Sequence, residues 1–377
     1  MRVCHVITDL NTGGAEMMLY KLVSAMDGDR FKNTVVSMTD IGPVGEKIQT
    51  AGIPVHALGM RVGAPDPRGL WRLNKLIRRT RPAIVQGWMY HANLASLLAW
   101  IWPFNFKIPL VWGIRHTVYD MACEKRLTAL TIKLCAKLSH LPRKIIYNAR
   151  VSAEKHGALG YKKDKTVIIP NGFDLERFVP DKQARFEVRA ELGLRPEALL
   201  IGLVARYHPH KGHGFFLAAA SLLVSRYPDV HFLLAGDNVT RDNTVLWRQA
   251  QNNGLANNIH LLGRRENVPR IMAALDIATT ASVAEAFPNV VGEAMACGVP
   301  CVVTDVGDAA YIVGDCGLVV APGNPEALAE AWAVLVENGA AVRRAYGEKA
   351  RQRVVEHFAL NKIVQKYETI YTSIVGG

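Results

Sequence analysis

The 377-residue sequence lacks several features that mark common classes of protein. Its six cysteines form no Cys-x-x-Cys pair and no cluster with histidine at metal-ligand spacing, which predicts a reduced, cytosolic protein without a disulfide framework or a structural zinc site. The most apolar stretch, residues 94–114, is interrupted by two prolines, an asparagine and a lysine, so it is too broken to span a bilayer. The apolar run Val3–Ile7 is too short for the core of a signal peptide.

The composition predicts two folded domains that differ in charge. Half of the residues are hydrophobic and 21% are charged, which excludes global disorder, and the length suits two domains better than one. The net charge of +12 is unevenly spread: residues 1–180 carry 26 basic and 13 acidic residues, and the remainder carries 19 and 20. This asymmetry indicates that the first half meets a polyanion or an anionic surface.

Short apolar runs alternate with amphipathic helical patterns, which is typical of parallel β-sheets covered by helices on both faces. The predicted strands are 3–8, 34–38, 54–58, 83–86, 109–114, 145–148, 166–169, 199–205, 230–235, 259–262, 277–280, 301–304 and 318–320. We therefore predict two doubly wound α/β, Rossmann-like domains that face an interdomain cleft, with ligands at the carboxyl ends of the strands. The predicted domains are 1–178 and 199–358, with a linker over 179–198 and a helical tail over 359–377 that can pack back on the N-terminal domain.

Two common phosphate-binding motifs are absent. The first strand is followed by Thr12-Gly13-Gly14-Ala15-Glu16, which is neither a Gly-x-Gly-x-x-Gly dinucleotide fingerprint nor a Walker A sequence. Two glycines at a helix start suit a phosphate close to Gly14, but an ordinary tight turn explains them equally well.

Arg206 and Lys211 follow the first predicted strand of the second domain, close to the start of a helix. As permanent cations, they can neutralise a leaving diphosphate without a metal. Two solvated loop charges explain the same residues, so the pair alone leaves both interpretations open.

The segment 282–298 contains two glutamates eight residues apart, directly after a predicted strand. Pro288 and Asn289 are typical of a helix start, which places Glu285 in the loop and Glu293 near the first turn, with the first helical amides exposed to a phosphate. Carboxylates at such positions suit the hydroxyl groups of a sugar. Acidic capping of a helix explains Glu293 but leaves Glu285, in an apolar loop, unexplained.

Taken in order, these motifs resemble the retaining GT-B glycosyltransferases, most of all glycosyltransferase family 4. The spacing of the two glutamates is similar to the family's Glu-x7-Glu signature. The other motifs of the resemblance are Gly13-Gly14, Pro170-Asn171-Gly172-Phe173-Asp174 and Arg206 with Lys211, in the family's order over nearly the whole chain. The resemblance implies a GT-B fold whose first domain receives the acceptor and whose second binds a nucleotide sugar.

The resemblance also implies a role for each residue. Arg206 and Lys211 would neutralise the diphosphate, Glu293 would bind the nucleotide ribose, and Glu285 would bind the donor sugar. Backbone groups would contact sugar and phosphate at Phe287, Pro288, Asn289 and Val290, and Gly14 would lie beside the donor phosphate.

His116, after the strand predicted over 109–114, matches the place where the family has a histidine near the sugar's C6 hydroxyl and anomeric centre. There it would orient the sugar or stabilise the transition state. Without the resemblance, a histidine at a strand end is an ordinary structural residue. Arg115 is either a second phosphate ligand or a surface charge.

The sequence departs from the family's pattern in two turns. Ala286 stands where many members have glycine, so either the loop needs no positive φ there or it is strained. Asn238 replaces a second glycine, which leaves base recognition open. Asp27-Gly28-Asp29 has the Asp-x-Asp form of metal-dependent glycosyltransferases, but it follows a helix, and we expect a polar turn and no metal site.

From the resemblance we expect a retaining, metal-independent glycosyltransferase without a cofactor. It would move a hexose-type sugar from a UDP- or GDP-linked donor to a hydroxyl of a glycan or lipid-linked acceptor in bacterial surface polysaccharide synthesis. Two alternatives stay open: a nucleotide-sugar epimerase of the same fold, and a basic protein that binds nucleic acid or membrane without transferase activity. Because no nucleic-acid module is recognisable, no nucleic-acid partner is expected.

Aromatic residues accumulate in the basic half. Five of the seven tryptophans lie in this half of the chain: Trp71, Trp88, Trp100, Trp102 and Trp112. Amphipathic aromatics beside cations suit contact with an anionic membrane, which predicts a cytoplasmic protein peripheral to the inner face of the cytoplasmic membrane. The alternative is that these tryptophans belong to the core beneath a solvated basic face.

Overall fold

The computed structural model describes residues 1–61, 66–101 and 107–376. They form two compact units. The first consists of residues 1–172 and the segment that begins at Leu360, and the second is Phe173–Ala359. Each unit has its own parallel sheet covered by helices, which confirms the prediction of two α/β domains.

The first unit contains a seven-stranded sheet. Its strands are β1 (Arg2–Ile7), β2 (Lys32–Ser37), β3 (Val55–Ala57), β4 (Ile84–Trp88), β5 (Leu110–Ile114), β6 (Lys144–Tyr147) and β7 (Thr166–Ile168). They pair in the order β3-β2-β1-β4-β5-β6-β7, all parallel. The order reverses direction between β1 and β4, which makes their carboxyl ends the switch point of this sheet.

The second unit contains a six-stranded sheet. Its strands are β8 (Leu199–Val204), β9 (Val230–Ala235), β10 (Ile259–Leu261), β11 (Ile277–Thr280), β12 (Cys301–Thr304) and β13 (Gly317–Val320). The order is β10-β9-β8-β11-β12-β13, so the switch point lies between β8 and β11. Every strand of the described residues overlaps a predicted one, because strands that are covered on both faces are continuous apolar runs.

The helices cover both faces of the two sheets. In chain order they are α1 (Gly14–Ala25), α2 (Gly42–Thr50), α3 (Pro67–Thr80), α4 (Met89–Ile101), α5 (Arg126–Leu138), α6 (Arg150–Ala158), α7 (Lys182–Glu191), α8 (His213–Arg226), α9 (Thr244–Asn252), α10 (Val268–Ala274), α11 (Asn289–Ala296), α12 (Ala309–Val313), α13 (Pro325–Glu337), α14 (Gly339–His357) and α15 (Leu360–Gly376). Several begin at a side-chain cap: the carboxylates of Asp66 and Asp181 accept the amides of Gly69 and Ala184 over 3.0 and 2.9 Å. Every described helix is too short or too polar to cross a lipid bilayer.

Two segments near the predicted boundaries are ordered helices. The prediction of a linker over 179–198 is wrong, because this range contains α7, which packs on α10 inside the second unit. The C-terminal helix α15 packs on α1 in the first unit, where the buried hydroxyl of Tyr371 donates to the side chain of Gln86. Polar, charged composition alone does not separate a linker from a helix with one buried face.

Candidate active site

In the second unit, an ion pair lies at the carboxyl ends of β8 and β11, the switch point of the sheet. Lys211 follows β8, Glu285 follows β11, and the lysine ammonium contacts Oε1 of the carboxylate. Ser282 Oγ donates to the same oxygen over 2.8 Å. The side chains of Lys211 and Glu285 are 25% and 13% exposed, so solvent reaches a mostly shielded pair. Open α/β sheets bind their ligands at such a position.

Backbone contacts hold the two loops that carry this pair. Gly212 has a φ of 67°, and a side chain there would collide with the carbonyl of Ala281. The amide of Val283 donates to the carbonyl of His210 over 2.9 Å. Glycine at position 212 therefore lets the two loops approach closely enough to join by a backbone hydrogen bond.

The two departures from the family's pattern are both accommodated by the backbone. Ala286 is not among the described residues with a positive φ, so this loop needs no glycine there and carries no left-handed strain. Its carbonyl accepts the amide of Asp308 over 2.9 Å. Asn238 adopts a φ of 59°, which asparagine tolerates better than most residues, so the turn forms without a second glycine.

Arg206 is exposed and lines a cavity of about 160 Å³ at the carboxyl ends of β8 and β9. Arg264 and Arg265 also line this cavity, and its acidic residue, Asp237, lies 3.8 Å from the guanidinium of Arg264. The cavity therefore has an excess of positive charge on the same edge of the sheet as the ion pair. Arginine forks in such a cavity suit phosphate oxygens.

Helix α11 begins at Asn289, as the sequence predicts, with Pro288 directly before it. Glu293 lies one turn further on the same face as Asn289, and both are half-buried. The amide of Val291 donates to the carbonyl of Pro288 over 3.2 Å. The prediction that the first helical amides are exposed to a ligand is therefore wrong at this residue.

The predicted contact residues Phe287 and Val290 differ in burial. Phe287 is buried, and its ring packs on Phe173 and Phe358 with centroid distances of 6.3 and 6.1 Å. Its side chain therefore belongs to the core of the second unit, which leaves its backbone for contact with a ligand. Val290, at the second position of α11, is half-buried.

In the first unit, His116 follows β5, and its side chain is 43% exposed. Ring atom Nδ1 lies 3.3 Å from the hydroxyl of Tyr90, and Nε2 lies 3.7 Å from Oε1 of Glu124. The backbone carbonyl of His116 accepts a hydrogen bond from Ser152 Oγ over 2.6 Å. Ring and backbone are thus both held by neighbours, while part of the ring stays accessible.

Gly14 is the first residue of α1, and the side chain of Glu16, from the same helix, covers the N-terminus of the helix. The carboxylate of Glu16 lies against Gly13 and accepts its own backbone amide. Burial, above all, raises the pKa of Glu16; its own backbone amide opposes the rise, Asp9 adds to it and Arg115 opposes it. An anion beside Gly14 has to displace this carboxylate or share the space with its protonated form.

Arg115 is half-buried and is not a surface charge. Its guanidinium donates to Asn171 and, over 2.9 Å, to the hydroxyl of Tyr367 on α15, and it lies 4.9 Å from the ring of Trp88. It therefore ties the loop after β5 to the C-terminal helix within the first unit.

Asp27-Gly28-Asp29 forms a polar turn, as expected. Oδ1 of Asp27 accepts the amides of Asp29 and Arg30 over 2.9 and 3.2 Å. Across the residues that the structure describes, no three histidine, cysteine, aspartate or glutamate side chains are grouped so that they could hold a metal ion.

The basic half presents one surface that combines cations with exposed apolar side chains. Helices α3, α4 and α5 lie side by side over a shared core. Their exposed apolar residues are Trp71, Leu98, Ile101, Leu127, Leu130 and Leu134, and their exposed basic residues are Arg68, Arg72, Lys75, Arg78, Arg79, Arg126, Lys133 and Lys137. We call this surface the α3–α5 face.

The tryptophans contribute less to the α3–α5 face than the sequence suggests. Trp71 is 62% exposed, with the Lys75 ammonium 5.2 Å from its ring. Trp88 and Trp112 are fully buried, and half-buried Trp100 donates its indole N–H to a backbone carbonyl over 2.7 Å. Trp102 lies outside the described residues. The prediction that the tryptophans contact a membrane is therefore wrong for Trp88 and Trp112, which belong to the core, the alternative that the sequence left open.

Of the predicted site residues, the structure brings Lys211 and Glu285 into direct contact; Arg206 and α11 lie in the same unit, and Gly14 and His116 lie in the first unit. Sequence reasoning missed Ser282 and Tyr90. Ser282 stands three residues before Glu285, a spacing that could have marked it as a partner. Tyr90 follows β4, and His116 follows the neighbouring strand β5. The sequence could therefore have indicated that both residues lie at the same edge of the sheet.

Two family models match the chain. Residues 12–177 match the model described as Glycosyltransferase Family 4, and residues 198–338 match the model described as Glycosyl transferases group 1. The provisionally named glycosyltransferase EpsF of Bacillus subtilis is 27% identical over 328 residues, 81% of this chain and 79% of that protein. An N,N'-diacetylbacillosaminyl-diphospho-undecaprenol alpha-1,3-N-acetylgalactosaminyltransferase of Campylobacter jejuni is 26% identical over 346 residues, 88% of each chain.

Solved structures share the fold. Alr3699/HepE of Anabaena in complex with UDP superposes with a TM-score of 0.86 at 22% identity, covering 99% of this chain and all of that one. The same protein with UDP-glucose gives a TM-score of 0.83 at 23% identity, with the same coverage. These likenesses confirm the GT-B fold.

Proposed function

This chain belongs to the group 1 glycosyltransferases of family 4, and we propose that it is a retaining, metal-independent enzyme. In this proposal it transfers a hexose-type sugar from a nucleotide-diphosphate sugar to a hydroxyl group of a glycan or lipid-linked acceptor. The observation that carries the proposal is the Lys211–Glu285 ion pair at the switch point of the second sheet. It supplies a cation for a phosphate and a carboxylate for sugar hydroxyls at one position.

The charges of the second unit support a role in stabilising the leaving group. An ammonium has three N–H donors, so Lys211 can contact Glu285 and a phosphate oxygen at the same time. The guanidinium of Arg206 lies on the same loop, in the arginine-rich cavity. Two fixed cations stabilise the negative charge that develops on a departing diphosphate.

The proposed transfer takes place on one face of the sugar. The acceptor oxygen forms a bond to the anomeric carbon as the bond from that carbon to the diphosphate oxygen breaks, and the acceptor proton passes to the departing phosphate. Retention then needs no covalent enzyme intermediate, and the protein's part is positioning and charge stabilisation. In this proposal Glu285 orients the sugar, Glu293 binds the ribose, and His116 contacts the sugar.

The relatives support a UDP-linked donor and a lipid-linked acceptor; a GDP-linked donor remains a prediction from the sequence. The Anabaena structures contain UDP and UDP-glucose, and the Campylobacter relative's name specifies a diphospho-undecaprenol acceptor. We extend these substrate classes to this chain as part of the proposal.

Donor choice, metal use and stereochemistry are tested together. The protein is incubated with a panel of UDP- and GDP-sugars and lipid-linked acceptor analogues, in Mg²⁺ or in EDTA. Nucleoside diphosphate release is measured, and the anomeric configuration of the product is read by proton NMR. We expect release with one donor in both buffers and a product with the donor's configuration. An inverted product contradicts retention, loss of activity in EDTA contradicts metal independence, and no release from any donor contradicts the transferase itself.

We also propose that the α3–α5 face contacts the inner surface of the cytoplasmic membrane. Leu127, Leu130 and Leu134 recur at helical spacing on the exposed side of α5, and exposed cations surround them. Apolar side chains flanked by lysine and arginine are typical of helices that lie in an anionic lipid interface.

Vesicle co-sedimentation tests this contact. We expect binding to anionic vesicles and little to neutral ones, and a decrease of about tenfold in affinity for Leu130→Ala, because one leucine leaves the interface. The matched control is Val245→Ala, because Val245 is an apolar residue of the second unit that is 57% exposed, close to the 63% of Leu130. Equal binding to both vesicle types, or equal losses in the two variants, contradicts the proposal.

A further inference from the structure

Four residues of the first unit form a chain of hydrogen bonds that ends at the ring of His116. Nδ1 of His156 lies 2.7 Å from the backbone carbonyl of Ser152, and Nε2 of His156 lies 2.8 Å from the hydroxyl of Tyr90. That hydroxyl in turn lies 3.3 Å from Nδ1 of His116. Tyr90 and His156 are buried, at 2% and 0% exposure, whereas His116 reaches the surface.

The hydrogen bond between His156 and the Ser152 carbonyl, at the buried end of the chain, determines which atom donates in each of the other hydrogen bonds. A carbonyl only accepts, so Nδ1 of His156 carries a proton. Burial, opposed by the bond to Ser152, lowers the pKa of His156 to about 4, so the ring is neutral and its Nε2 accepts. Burial also raises the pKa of Tyr90, which keeps its single proton and donates it to His156. The Tyr90 oxygen then accepts a hydrogen bond, and its donor is Nδ1–H of His116.

The surroundings make this chain rigid. The ring of His156 packs against Tyr90, Tyr147 and Tyr161, with centroid distances of 5.7, 5.4 and 5.0 Å. Met89, directly before Tyr90, has a φ of 69°, a left-handed conformation that is unfavourable for a residue with a β-carbon and is retained only where the surroundings enforce it.

Helix α6 holds His116 twice. Its Ser152 hydroxyl binds the His116 carbonyl over 2.6 Å, and its His156, one turn later, fixes the Tyr90 hydroxyl that accepts from the ring.

We propose that Tyr90 and His156 are positioning residues that hold His116 in the tautomer with its proton on Nδ1 and thereby present Nε2 to the donor sugar. This inference rests on the proposed function, in which His116 contacts that sugar. In the neutral ring, Nε2 is an acceptor for a sugar hydroxyl; in the protonated ring, its N–H faces Glu124, 3.7 Å away. In both the neutral and the protonated ring, Nδ1 of His116 donates to the Tyr90 hydroxyl.

The test separates tautomer control from catalysis. Full-length protein labelled with ¹⁵N-histidine is examined by two-bond proton–nitrogen correlation spectra, which report the protonated nitrogen of each ring without any turnover. We expect His116 in the Nδ1–H form in the wild type, and loss of that form in Tyr90→Phe. The matched control is Tyr161→Phe, which removes another buried hydroxyl, bonded over 3.1 Å to the carbonyl of Ile132, and leaves the chain intact.

The kinetic arm follows the same variants. We expect kcat of Tyr90→Phe to fall about tenfold, as for the loss of one hydrogen bond, while Tyr161→Phe keeps the wild-type kcat. An unchanged His116 tautomer in Tyr90→Phe, or an equal loss of kcat in Tyr161→Phe, overturns the positioning role. Full activity of His116→Ala instead overturns the catalytic part of the proposed function, while the tautomer result stands by itself.

Discussion

Two ion-paired carboxylates, Asp276 and Glu285, flank the same strand, β11, and their cationic partners differ in how much of their hydrogen-bonding capacity the protein itself uses. Asp276, directly before the strand, binds the guanidinium groups of Arg185 and Arg189 over 2.7 Å each and accepts the amide of Leu200 over 2.8 Å. Arg189 is 1% exposed and also donates to the carbonyl of Ala274 over 2.6 Å. At the amino end of β11, a charged cluster is therefore bound almost entirely by protein groups.

The pair at the other end of β11 is arranged differently. Within the described part of the chain, the Lys211 ammonium has one hydrogen bond, to Glu285, and a quarter of its side chain is exposed. Two of its three N–H donors remain for a ligand. The two ends of β11 therefore have different tasks: charge at the amino end stabilises the fold, and charge at the carboxyl end, where open α/β sheets bind ligands, is available to a substrate.

The largest effect on stability is expected at the amino end. Asp276→Ala leaves two guanidinium groups, one of them fully buried, without their carboxylate, and we expect the free energy of unfolding to fall by about 3–5 kcal/mol. Urea denaturation followed by tryptophan fluorescence measures the loss. Transfer activity per folded molecule is expected to stay at the wild-type level, and a stable but inactive Asp276→Ala would break the division between the two ends.

The sequence predicted the strands and the charged residues after them, because both are local signals. Continuous apolar runs identify buried parallel strands, and Lys211 and Glu285 lie in the loops that follow two of these runs. Their direct contact could not be predicted from local signals. It depends on the strand order, which places β8 beside β11, and on the positive φ of Gly212, which brings the two loops together.

Tertiary partners explain what the sequence could not predict. Arg189 lies in the range predicted to be a polar linker. Its guanidinium can be buried because it donates to Asp276, 87 residues away in the sequence. Trp88 and Trp112 lie on central strands of the first sheet and are buried in the core. The sequence could not show this, because the nearby segment that forms α3 is basic and exposed. The chain from His156 through Tyr90 to His116 joins helix α6, the first turn of α4 and the loop after β5, which are remote in sequence.

At the carboxyl end the expected effect is on activity. Lys211→Ala removes a cation from the site of the departing diphosphate, and we expect kcat/KM to fall by about 100- to 1,000-fold. The free energy of unfolding should fall by less than in Asp276→Ala, because the lysine is a quarter exposed and Glu285 keeps its hydrogen bond from Ser282. Lys182→Ala, on the exposed side of α7, is the matched control and should retain wild-type kcat/KM. Near-normal turnover in Lys211→Ala would contradict the assignment of the site.

The smallest effect is expected where the protein orients the functional carboxylate. Ser282 Oγ donates to Glu285 over 2.8 Å, while the Ser282 carbonyl accepts from Thr304 Oγ1 over 2.7 Å, so Ser282→Ala removes the first bond and keeps the backbone in place. Loss of one hydrogen bond to a charged group corresponds to about a tenfold fall in kcat/KM.

Ser225→Ala is the control for Ser282→Ala, because Ser225 is an exposed serine whose hydroxyl donates to the carbonyl of Leu222 over 2.7 Å, and it should have no effect on transfer. If Ser282→Ala lowers kcat/KM, Glu285 is oriented before the sugar binds, and the carboxyl end of β11 is as preorganised as the amino end. If kcat/KM is unchanged, the Ser282 hydroxyl does not orient Glu285, and the two ends of the strand differ in rigidity as well as in charge.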